Sequence, residues 1–213
     1  MGTNVLRIGL LITTVQFLFS ASCNKDGTSC LSTQATYSFV VTSEWSPQKA
    51  TYNVGDTIFL TSTFPKKLTD QINPALIIDY SNSVGVGGSY AFYELDTIQN
   101  KVKGAVLKFD FIPSIGSISD GIIVPNEQKV INFLEATNNY TFNLKVVPKA
   151  KGIFAFYVSD LKSPGLRGKN CTNAGFKNTL TNSNKNLNLF QYAIGRTPAS
   201  QYEIDRIYCF RVQ

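Results

Sequence analysis

From Thr36 onward the chain is a succession of short runs in which apolar and polar residues alternate. Tyr37, Phe39 and Val41 are interleaved with Ser38, Val40 and Thr42. Side chains two positions apart share a strand face, so a period of two describes a strand packed on one side. A turn at Gly55-Asp56 leads into Thr57–Ser62, where Ile58 and Leu60 face one way and Phe59 and Thr61 the other. Further strands are predicted over Ala75–Tyr80, Ser89–Leu95, Gly104–Phe111, Tyr140–Val147, Gly152–Val158 and Arg206–Val212, with a hairpin loop at Pro148–Gly152. Short strands joined directly by turns suit a sandwich rather than α/β units. The expected fold is all-β: a single immunoglobulin-like β-sandwich with one or two short helices in its connections. Asn126–Thr137 suits a short helix as well as a strand, and Leu187–Ala193 suits a helical turn or two. Asn170–Asn188, rich in Asn and Thr, reads as a connection.

The first 23 residues carry an address. Arg7 is the only charge, an apolar run spans Ile8–Phe19, and small residues Ser20-Ala21-Ser22 precede Cys23. This is the order of a secretory signal, and a membrane-crossing helix would need about 20 apolar residues. A cysteine directly after the small residues makes it a lipoprotein signal, cut before Cys23 and anchored by lipid on that sulfur. Ser20 departs from the Leu, Val or Ile expected three residues before the cysteine. The expected division is a signal over 1–22, a flexible tether over 23–35 and a β domain over 36–213. Removing 22 of the 213 residues leaves 191, enough for one domain with a real core.

Charge is sparse and uneven. Only 16% of the chain is charged, against 43% hydrophobic and 12% aromatic, a balance that suits extracellular β proteins. Residues 145–185 hold eight basic side chains (Lys145, Lys149, Lys151, Lys162, Arg167, Lys169, Lys177 and Lys185) and one acid, Asp160. Such a segment either forms a patch for phosphate or acidic polysaccharide or lines a solvated face. The exported address and the lack of a helical reading motif speak against nucleic acid.

The chain has no histidine. Ser-His-Asp and Cys-His catalysis are thereby excluded, along with the usual zinc ligand sets. No cofactor is implied: Gly85-Val86-Gly87-Gly88 matches no phosphate-binding fingerprint and reads as a hairpin or mobile loop. Two carboxylates can hydrolyse a glycosidic bond if one keeps its proton. Glu94 and Asp96, two apart on one strand face, are the candidate pair, the alternative being acids on a solvent face. Asp56, Asp79 and Asp120 read as turn residues. Trp45, the one tryptophan, is either a sugar-stacking platform or a lid on the core rim. Besides Cys23 there are Cys30, Cys171 and Cys209. Three thiols in an oxidising compartment allow at most one internal bridge. Cys171 and Cys209 flank the last part of the domain and are the expected disulfide, with Cys30 unpaired on the tether. In the closing strand Ile207 and Arg211 share the face of Cys209, while Tyr208, Phe210 and Val212 face the other way.

Three segments carry a resemblance: Val54–Phe64, Lys169–Phe176 with its Asn-Cys-Thr-Asn, and Ile207–Val212. Together with the signal they resemble a group of Bacteroidota envelope lipoproteins with a β-rich domain. Lys25-Asp26 beside Cys23 resembles the surface-export signals of the same proteins. The resemblance implies an outer-membrane lipoprotein, facing the periplasm or the cell surface, and it implies no activity. The expectation is a lipid-anchored binding or structural module, with acidic polysaccharide or an envelope protein as its partner. The alternatives are a carboxylate-dependent glycan hydrolase and an accessory subunit of an outer-membrane complex.

Overall fold

The period-two pattern does become strands, and most of them lie close to where the alternation puts them. The computed structural model describes residues 35–121 and 124–213; the signal, Cys23, Cys30 and nearly all of the tether lie outside them. The strands are β1 (Tyr37–Ser46), β2 (Thr51–Tyr52), β3 (Ile58–Pro65), β4 (Lys67–Thr69), β5 (Ile77–Asp79), β6 (Gly87–Asp96), β7 (Lys101–Gly104) and β8 (Phe109–Ile115). There follow β9 (Ser117–Asp120), β10 (Gln128–Asn132), β11 (Leu134–Glu135), β12 (Asn139–Pro148), β13 (Gly152–Val158), β14 (Leu161–Ser163), β15 (Ala174–Leu180) and β16 (Ile207–Val212). Two helices, α1 (Leu187–Ile194) and α2 (Gln201–Ile204), sit between β15 and β16. The all-β sandwich with short helices in its connections is what the chain forms.

β1 ties the two layers together. Tyr37–Ser43 pair in parallel with β15 in the first sheet. Glu44–Ser46 then cross to the second sheet and pair antiparallel with β3. The first sheet continues from β15 through β14, β6, β13 and β16 to β2, with β7 and β10 on the other edge of β6. The second is built on β3, β12 and β8. In β12 the inward residues Tyr140, Phe142, Leu144 and Val146 are buried and those between them half-buried. Rings meet between the layers: Phe142 lies 5.7 Å from Tyr90, and Phe64 lies 5.6 Å from Phe176. Trp45 is wholly buried, stacked 4.8 Å from Phe156. Its indole N–H donates to the Tyr52 hydroxyl. It belongs to the core and stacks no ligand.

The first sheet has a second covered face. Leu95, Ile153, Ala155, Ile207 and Cys209 point away from the sandwich and pack under Phe190 and Ala193 of α1. β13 is therefore buried on both sides, which explains its unbroken apolar run. α1 forms because Leu187, Phe190, Ala193 and Ile194 recur at helical spacing. It ends at Gly195, whose φ of 78° only glycine adopts without strain.

Four expectations change. Asn170–Asn188 is not merely a connection, since it contains β15. The strand expected over Gly104–Phe111 is broken by a 3-10 turn at Val106–Lys108. Asn126–Thr137 resolves into β10 and β11. Gly87 and Gly88 open β6 rather than a mobile loop. A Cβ on Gly87 would lie 2.5 Å from the Ile131 carbonyl, so glycine lets β10 approach.

The expected Cys171–Cys209 bridge is overturned. Cys209 is a free thiol, buried on the outward face of β16 beneath α1. Cys171 is disulfide-bonded, but not to Cys209. Tyr208, Phe210 and Val212 face the sandwich, as the alternation of the closing strand predicts, and the outward face with Ile207 and Cys209 belongs to the helix.

Candidate functional site

α1 covers the outer face of the first sheet only in part. Beyond it, the end of β6, the start of β13 and the end of β16 leave a cleft of ≈ 590 Å³. The β6–β7 turn forms one wall and Tyr192 of α1 the other. Glu94, Asp96, Ile98, Lys103, Tyr192 and Arg211 line it, over a floor that includes Leu95 and Ile153. This size falls in the usual range for ligand sites.

Glu94 and Asp96, brought forward by the sequence, do line one cleft. Each is held by a lysine. Lys108 Nζ lies 2.5 Å from Glu94 Oε1, and Lys103 Nζ lies 2.5 Å from Asp96 Oδ2. Asp96 Oδ1 also accepts from the backbone N–H groups of Ile98 (2.8 Å) and Gln99 (3.0 Å). The Lys103 hydrogen bond, reinforced by those two amides, holds the Asp96 carboxyl down to about 2. A glycosidase acid needs the opposite shift, a carboxyl that keeps its proton near neutrality. Asp96 is instead an ionised anchor for the β6–β7 turn.

Two other features of the cleft were not foreseen. Arg211 is exposed and has no ion-pair or side-chain hydrogen-bond partner among the described residues. Tyr192 is 68% exposed and Ile98 92% exposed. With each acid held by a lysine, Arg211 is the cation of the cleft that no acid among the described residues pairs, and it stands beside exposed apolar surface. The sequence hint for Arg211 was its outward parity in the closing strand. Tyr192 had no signal beyond its place in the helical segment.

A second, smaller cleft of ≈ 470 Å³ lies where the first sheet forks, between Gly88, Ser89, Asp160, Lys162 and Tyr202. Its carboxylate already serves the fold. Asp160 accepts from the Asn178 N–H at 3.0 Å and pairs with Arg206, which is only 3% exposed. The Tyr202 ring lies 3.5 Å above the Arg206 guanidinium. This cluster seals the split between β15 and β16.

The other sequence candidates disperse. Asp56 accepts from the Asn53 N–H, Asp79 from Ser81, and Asp120 pairs with Lys129, so all three are local fasteners. The basic residues of 145–185 are dealt out over β12, the β12–β13 hairpin, β14, β15 and their connections, and Lys149 is matched by Asp110. Among the described residues no group of three or more His, Cys, Asp or Glu side chains comes together to hold a metal, and no helix is long and apolar enough to cross a membrane.

No protein-family model matches the chain, and no curated protein matches it. Among solved structures, one that is similar is a type II cohesin domain from the cellulosome of Acetivibrio cellulolyticus. It is 10% identical, covers 64% of this chain and 84% of that chain, and has a TM-score of 0.24. A likeness at that level assigns neither a family nor a ligand.

Proposed function

We propose that the chain is a lipid-anchored outer-membrane lipoprotein whose β-sandwich is a binding module. The signal-like start and Cys23 support the anchor, and the cleft beside α1 supports binding. The observation that carries the second part is the convergence of an unpaired Arg211 with exposed Tyr192 and Ile98. A guanidinium forks onto a carboxylate, and an exposed aromatic ring stacks on a flat apolar face. Acidic polysaccharide offers both groups in one sugar unit, and it is the ligand class that fits. A hydrolase reading has less support, because Asp96 is ionised by its own turn.

Affinity electrophoresis of the mature protein through gels containing uronate-bearing polysaccharides tests the binding. Wild type is expected to be retarded, and Arg211→Ala and Tyr192→Ala each to lose most of that retardation. Equal mobility of all three in every gel refutes the cleft as the binding site. Metabolic labelling with a fatty acid tests the anchor. Label should be present in wild type and absent in Cys23→Ser.

A further inference from the structure

The described chain begins at Ala35 and enters β1 at Tyr37. What surrounds that point is constructed. The β4–β5 hairpin lies against it: the Ser38 N–H donates to Asp70 Oδ1 at 2.9 Å, and the Gln71 N–H donates to the Ser38 carbonyl at 2.7 Å. Asp70 is buried and also accepts from the N–H groups of Ile72 and Asn73, so one carboxylate organises the turn from within. The turn then shows solvent its apolar side chains. Ile72 is 60% exposed, Leu76 46% and Ile77 71%.

On the other side of the same point, Thr36 donates to the Asn173 carbonyl at 3.0 Å. The connection that ends there carries exposed Arg167 and Lys169. Val84, also exposed, is bonded to it through Gly165. The acids nearby are matched: Asp70 is buried, Asp79 stands opposite Lys67 in the β4–β5 ladder, and Glu135 pairs with Lys66. One end of the domain thus offers branched apolar side chains flanked by cations. That is the composition of a surface lying in a lipid headgroup layer.

We propose that this end of the domain seats on the lipid surface, with Ile72, Leu76 and Ile77 entering the boundary between headgroups and acyl chains. The inference rests on the reading of Cys23 as the lipid anchor. A tether of residues 23–35 reaches at most about 45 Å when fully extended. The tether enters the domain at this end, so this is the end that meets the bilayer with the least extension of the tether. A protein partner or a second copy on the same patch is the competing occupant.

The test uses the full lipidated chain in liposomes containing lipids brominated on the acyl chain, which quench tryptophan by contact. Trp45, wholly buried, provides a constant background. Ile77→Trp and Ile72→Trp place a reporter in the turn. Ile98→Trp places one at the far end of β6, on a still more exposed apolar residue. Trp at 77 and at 72 should each be quenched several-fold more than Trp at 98. Equal quenching at the three positions, or quenching only at 98, overturns the proposal even when the protein floats with the liposomes. Failure of the wild type to float would remove the anchor reading and the proposal with it. Protection of 77 and 72 from both bromine and aqueous iodide would mean that a protein covers the patch, and it would likewise overturn the lipid contact.

Discussion

Asn178 occupies a position that the strand pattern reserves for an apolar side chain. In β15 the buried residues are Ala174, Phe176, Asn178 and Leu180. Both ends of its amide are engaged: Ser43 Oγ donates to Asn178 Oδ1 at 3.0 Å, and Asn178 Nδ2 donates to the Ser159 carbonyl at 3.3 Å. Asn178→Ala removes both bonds, leaving the buried Ser43 hydroxyl with Tyr90 alone, and should cost about 2 kcal/mol in urea unfolding, with the slope unchanged. Asn182 similarly clasps Trp45, accepting from its N–H at 3.0 Å and donating to its carbonyl at 2.7 Å. These bonds explain why an Asn-rich stretch reads as a loop: its polar residues are satisfied inside the protein, which composition does not reveal. At Asp96 the prediction concerns pH. Its folded carboxyl lies below the ordinary value, so the Lys103 and amide bonds are complete above about 4 and are lost as pH falls through about 2. NMR titration should place the Asp96 midpoint near 2 in the wild type, and Lys103→Ala should move it up.

At the scale of elements, α1 decides the chemistry of Cys209. Burial under Phe190 and Ala193 pushes that thiol up to about 12, so almost no thiolate exists at neutral pH. Iodoacetamide should leave Cys209 untouched in the native protein and alkylate it after denaturation, and non-reducing peptide maps should contain no Cys171–Cys209 peptide. Phe190→Ala should cost about 3 kcal/mol and open Cys209 to the reagent, because the helix loses the ring that seats it on β6, β13 and β16. α1 was legible as a segment, since its apolar spacing is helical. Its docking face was legible only in part. The parity of β16 put Cys209 opposite Phe210, but nothing local said that a helix would claim the outward side.

Across the whole molecule, the decisive step is the passage of β1 from one sheet to the other. Its parallel pairing joins Tyr37 to Ala174 and Ser43 to Leu180, contacts between the two ends of the domain. Such pairings form late and slowly, because a long loop must close before they repay its entropy. Trp45 lies just past the crossing, stacked on Phe156 of the first sheet. Its fluorescence and the far-UV signal of the strands should therefore lose structure in one coincident transition. Two separated transitions would show that the layers unfold independently.

Alternation alone determined that this chain is a sandwich of short strands, and it set the facing of β3, β12 and β16, because a strand's two faces are written two residues apart. The helical spacing of Leu187–Ala193 and the signal-like start were equally local. Tertiary structure decided the rest. It gave β1 a parallel partner 137 residues away. It put a lysine on each of Glu94 and Asp96, and it brought Tyr192 and Arg211 to one cleft. It also hid Cys209 from Cys171. Each of these depends on which surfaces meet, and a residue's own neighbours in sequence carry no record of that.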